Sequence, residues 1–166
     1  MIIVDVFVPG AAKTKGSMEI RNRATGAMRE SVIGSSRWRA LMAQSVRDDI
    51  ARRTAERRAS DLPEHWPAGP YSGAVSVTVE AYLTPPASWG SDYDARLSWP
   101  TWNQAGDLDK IVRNVLDALG STSKNPKMNG GAIVDDNLVC RIVATKHVAG
   151  PSGALSAGVR IIVETL

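Results

Sequence analysis

One cysteine, two histidines and one phenylalanine stand among 166 residues, and these scarcities exclude several classes of protein. Cys140 alone makes no internal disulfide, and with only His65 and His147 beside it no Cys/His zinc cluster can assemble. A reducing cytoplasm is the expected setting. Long apolar runs are missing as well. The opening MIIVDVFVPG carries an Asp at position 5, has no basic leader and breaks at Pro9-Gly10, so it reads as neither a signal peptide nor a membrane span. What is present is a 43% hydrophobic composition over a length suited to one domain with its own core.

Net charge is only +3, but it is unevenly spread. Residues 1–60 hold twelve Lys/Arg against six Asp/Glu, and the remainder holds eight against eleven. A basic opening suits a polyanion such as nucleic acid, and acids clustered elsewhere would repel that polyanion unless a cation sat between them. Ordinary solvated surface is the alternative.

Period-two alternation of Ile2, Val4, Val6 and Val8 with Ile3, Asp5 and Phe7 predicts a strand closed by Pro9-Gly10. The stretch AAKTKGSMEIRNRATGAMRES has no period and reads as a basic loop or loose hairpin turning near Thr25-Gly26. Ser35-Ser36 are N-cap candidates for a helix through Trp38, Leu41, Met42, Ser45, Val46, Asp49 and Ile50, ending near residue 58. Pro63, Pro67 and Pro70 mark a connector, and a second strand follows over 75–83. Residues 84–105 lack any period and carry three Trp; these rings are better read as covering a core edge than as stacking on bases. A polar Gly/Lys/Asn loop over 121–131 and strands near 138–146 and 157–165 complete the chain.

Residues 106–120, GDLDKIVRNVLDALG, give the clearest helix. Leu108, Ile111, Val112, Val115, Leu116 and Leu119 share one face, and Gly120 falls where a helix end favours a left-handed residue. Asp109, Arg113 and Asp117 form a stripe on the other side. Asp107 can converge with Asp109 if it lies in an extended approach to the helix. The structural alternative is an N-cap plus a favourable charge at the positive helix end. Downstream, Asp135-Asp136 interrupt two apolar runs, as a β-turn would, or as a second pair of carboxylates would.

These residues together resemble the RusA-like Holliday junction resolvases, small endonucleases of bacteria and phages. The likeness runs from VFVPGAAKTKG through the Arg-rich helix to DLDKIVRNVLDAL and VDDNLV. With the elements above it implies an α+β fold, a single domain over residues 1–166 with a small mixed β-sheet packed with two main helices. It also implies that Asp107, Asp109 and Asp136 are the essential carboxylates, with Asp135 beside them, and that the protein is a homodimer acting on branched, four-way DNA. Two positions depart from the family pattern. Lys110 replaces the usual Asn after the second Asp, and Arg113 replaces the usual Lys; Arg binds phosphate bidentately but does not donate a proton as Lys does.

The chemistry is consistent with the likeness. Phosphodiester hydrolysis needs an activated water and relief of phosphate charge, which one or two Mg²⁺ ions supply. Asp oxygens without a nearby His or Cys suit Mg²⁺ better than zinc, with Mn²⁺ as an acceptable substitute. Asp107, Asp109, Asp135 and Asp136 are therefore the expected metal group, with Arg113 on the scissile phosphate. Without metal, these acids are expected to raise one another's pKa. Lys13, Lys15, Arg21, Arg23, Arg29 and Lys110 are the candidate contacts to the DNA backbone. Two rivals stand beside this reading: a metal-dependent nuclease for forks, flaps or RNA, and a non-catalytic DNA-binding module whose acids are only caps and turns.

Overall fold

The computed structural model describes residues 1–14, 18–22, 27–30, 34–60, 69–90, 93, 99–102, 105–121, 125–150 and 156–166, and of 18–22, 27–30 and 126 the main chain alone. Lys15, Arg23, the Thr25-Gly26 turn, Pro63 and Pro67 lie outside the described residues, as do the side chains of Arg21 and Arg29.

The strand patterns of the sequence become one mixed sheet. β1 (Ile2–Pro9) pairs with a short hairpin neither of its own nor of the next segment: β2 (Met18–Asn22) and β3 (Ala27–Glu30) pair only with each other. Its partner is the last strand, and with β4 (Val75–Leu83), β5 (Val139–Val148) and β6 (Gly158–Thr165) the order is β1-β6-β4-β5. Only β4 and β5 run parallel. Val4, Val6 and Val8 stand opposite Val163, Ile161 and Val159, and Val77, Val79 and Ala81 continue the same row. That row is the sheet's contribution to the core. A register shift between Ile2 and Val4 buries both Ile3 and Val4, so the strict alternation expected from Ile2 onward does not hold. On the opposite face Arg160 pairs with Asp5 and reaches Glu80, while Phe7, Tyr82 and His147 form an aromatic row.

Helix α1 (Ser35–Ala59) buries Trp38, Met42, Val46 and Asp49, a spacing of three and four that keeps one face on the core. Its N-cap is Gly34 at φ 85, not Ser35 or Ser36; Ser35 is already helical and buried. Leu41, expected on the packed face, is 44% exposed. Asp49 accepts the β1 backbone N–H of Asp5 at 2.9 Å and is held in turn by Arg53 at 2.7 Å and by Arg52. One backbone donor on the free edge of β1 is thereby taken up.

Helix α2 (Leu108–Leu119) lies between α1 and the β4/β5 side of the sheet, with Ile111, Val115 and Leu119 in the core. Gly120 is extended, φ −67 and ψ 164, which corrects the left-handed cap expected there. The reason is that the chain bridges at once to Ile133, and the last helical carbonyls are satisfied by Gly130 N–H on Ala118 O at 2.8 Å and Ala132 N–H on Leu119 O at 3.0 Å. In the 84–105 segment a short 3-10 turn at Ala87–Trp89 interrupts the expected loop. Trp89 packs edge-on against Trp102 and Tyr93, and Trp102 rests on the core, as the core-edge reading anticipated. Trp99 does not join them and is 74% exposed. Among the described residues no helix is long and apolar enough to cross a membrane.

Candidate active site

The approach to α2 is set by Gly106, whose φ of 73 suits glycine. A Cβ there would also stand 2.7 Å from Thr14 Cγ2, so the start of the basic segment lies directly on this turn. Lys146 of β5 donates from Nζ to Gly106 O at 3.0 Å and fixes the turn from the sheet side. Asp107 follows in extended conformation, φ −80 and ψ 130, the geometry that convergence with Asp109 required. It occupies the N-cap position, yet its side chain makes no capping hydrogen bond. Instead its Oδ2 lies 2.7 Å from Lys110 Nζ.

That ion pair reverses one electrostatic expectation. The Lys110 hydrogen bond, followed by the charges of Lys110 and Lys146, holds the Asp107 carboxyl below its ordinary range, where mutual repulsion among acids was expected to raise it. The same bond raises Lys110. Lys110, expected on DNA, is thus placed on a carboxylate, because the first helical turn puts residues three apart side by side.

Asp109 and, one turn further, Arg113 face an open groove of about 530 Å³ between α2 and β5. Asp136 enters the same groove from the other side of the chain, and Leu108, Val112, Ile142 and Ala144 supply its apolar lining. The Asp135-Asp136 break is a tight turn, as its composition suggested: Asp135 accepts the Asn137 N–H at 3.0 Å and caps a short 3-10 turn at Asp136–Leu138. The turn reading therefore accounts for Asp135, and Asp136 is left exposed to the groove. Neither Asp109 nor Asp136 accepts a hydrogen bond from the described residues. Asp117, the third member of the stripe, is drawn away to Arg39 at 3.6 Å.

Among the described residues no three acidic, His or Cys side chains already form a metal cage. Two unengaged carboxylates on one groove, with Asp107 two residues from one of them, are nevertheless a hard oxygen donor set with room for waters, and so fit a divalent cation of the Mg²⁺ kind. His147 lies on the far face, stacked on Tyr82 and bonded to Thr145, so it offers nothing to this group. Lys13 is exposed at the end of the described part of the basic segment.

The sequence reading missed two further residues. Lys146 was visible only as the last residue of the strand expected near 138–146. Asn114, fully buried, accepts from Arg39 Nε at 2.9 Å and donates to Lys13 O at 2.9 Å. Its one signal was an amide on the inner side of an otherwise apolar helix.

Two carboxylates and a guanidinium line one open groove, the kinds of group that a cation and a phosphate ester can engage. A family model described as endodeoxyribonuclease RusA matches residues 32–162, and the chain belongs to that family. Its members are divalent-metal-dependent endodeoxyribonucleases that resolve Holliday junctions. No curated protein matches the chain.

Proposed function

We propose that residues 1–166 act as one Mg²⁺-dependent, structure-selective endonuclease unit, paired as a homodimer, that resolves four-way DNA junctions by symmetric nicks in the cytoplasm of a bacterial or phage-infected cell. The observation that supports this reading is the shared groove, whose lining includes Asp109 and Arg113 of α2 and Asp136. Asp109 and Asp136 would hold the metal, and Asp107 would join them on leaving Lys110. Asp135 contributes by shaping the turn that presents Asp136. The bound ion supplies charge neutralisation at the phosphate and a water acidic enough to attack at neutral pH. Arg113 binds a non-bridging phosphate oxygen and orients the diester across the groove. Lys13 and the basic hairpin hold the strand by its backbone, which reads charge and shape rather than sequence. A two-fold dimer matches the paired cuts of a four-way junction.

The test is cleavage of a labelled synthetic four-way junction, beside fork and linear duplex, with Mg²⁺ or EDTA. Wild type should give paired nicks that EDTA abolishes, and Asp109→Asn and Asp136→Asn should each lose about a hundredfold or more in rate. Cutting confined to forks would keep the chemistry and replace the substrate. Binding of every substrate with cutting of none would leave only a DNA-binding module, and a monomer by ultracentrifugation would remove the paired-cut scheme.

A further inference from the structure

Asn114 makes a connection that the cleavage chemistry alone does not require. It is 0% exposed and sits on α2 directly after Arg113. Its Oδ1 accepts from Arg39 Nε of α1, and the same guanidinium reaches Asp117 one turn along α2, so the amide's orientation is fixed by a charged donor. Its Nδ2 is thereby aimed at the backbone carbonyl of Lys13, 101 residues away, at 2.9 Å. A second, independent contact reinforces the first: Thr14 packs on Gly106, the residue before Asp107, so closely that a Cβ there would collide with its methyl group. The root of the basic segment is thus fastened to the acid-bearing helix at two points, one beside Arg113 and one beside Asp107. Residues 13 and 14 also precede the part of the chain that the family model matches.

We propose that Asn114 is a positioning residue: by holding the Lys13 carbonyl it sets the distance between the DNA backbone contacted by Lys13 and the acid groove, and so decides which phosphodiester is presented for cleavage. This rests on the nuclease reading. The two contacts give Lys13 and Thr14 defined places beside the helix. A strand held at Lys13 therefore meets the groove in one register.

Asn114→Asp tests the idea because the carboxylate still accepts from Arg39 but cannot donate to Lys13 O. Thr14→Gly loosens the second fastening from outside the core, so the test does not depend on one buried substitution. Both full-length variants are compared with wild type on a four-way junction, by mapping nicks at single-nucleotide resolution and by hydroxyl-radical footprinting in Ca²⁺, with melting temperature as a control. Wild type should nick one phosphodiester per strand. Each variant should spread its nicks over neighbouring phosphodiesters and blur the footprint edge, with turnover down roughly tenfold and junction Kd within about twofold. An unchanged nick position and footprint in both variants overturns the inference, as does a loss of activity that follows melting temperature with nick position intact. Should wild type bind without cutting, the nuclease reading falls and this inference falls with it, whereas cutting at one position in wild type and both variants overturns this inference alone. Should it neither bind nor cut, both fall.

Discussion

Lys110 is the residue on which the site's resting state turns. Its ammonium occupies an Asp107 oxygen that the metal reading needs, and the pair is exposed enough that water competes for both partners. Asp107 is depressed, so the attraction is present above the ordinary carboxylate range and lost as pH falls through the lowered value; Lys110 is raised, so it is lost again as pH rises through the raised ammonium value. Between those limits the pair competes with any cation. Lys110→Asn should return the Asp107 titration, followed by carboxyl NMR in EDTA, toward the ordinary range. It should also tighten Mg²⁺ binding about three- to tenfold by calorimetry, since a charge of the metal's own sign is gone. Equal affinities would show that Asp107 takes no part in holding the ion. At this scale the sequence was legible where partners are close or where one residue type must do the chemistry. Asp109 and Asp136 stood out through the family likeness, and both line one groove; the i, i+3 spacing of Asp107 and Lys110 was in view though the Lys was read toward DNA. Asn114 was not legible, because its partners lie 75 and 101 residues away and an amide on an inner helix face announces neither.

Among elements, the end of α2 decides where Asp136 stands. The helix does not finish in a local glycine cap; its final carbonyls are closed by N–H groups of Gly130 and Ala132, which carry the chain to Ile133 and then to the Asp135 turn. Gly130 is required there for close approach, since a Cβ would run into Ala118 O, a backbone atom with little room to yield. Gly130→Ala should therefore cost roughly 1–3 kcal/mol in chemical denaturation and depress cleavage beyond what that loss explains, because it displaces the turn that presents Asp136. Normal activity in the folded variant would separate the latch from the site. The strand over 75–83 was legible from alternation, and the one expected near 157–165 is found to within a residue. Gly120 misled because a helix followed by glycine normally caps itself, and only the tertiary return of residues 130–133 supplies the donors here.

Across the whole molecule, charge separates into a basic opening and an acidic remainder, and the fold brings their ends together at Thr14 and Gly106. The two faces of the sheet divide labour similarly: the inner one packs both helices and carries Ile142 and Ala144 into the groove, while the outer one ties Asp5, Glu80 and Arg160 into a polar surface away from it. On the proposed reading, a polyanion would be drawn by one part of the chain toward another part that repels it until a cation is bound. Two measurable consequences follow from that arrangement. Junction affinity should fall linearly in log–log form with salt, and Lys13→Ala should reduce the slope by about 0.9, the value for one lost phosphate contact on duplex DNA. Divalent cation at constant ionic strength should tighten wild-type binding, because it removes the repulsion of Asp109 and Asp136, and should do so much less in Asp109→Asn, where part of that repulsion is already gone. The first effect is long-range and belongs to the basic segment; the second is local and belongs to the groove. A Lys13→Ala slope equal to wild type would take the segment off the DNA, whereas a divalent-ion effect of equal size in wild type and Asp109→Asn would take the cation out of the groove.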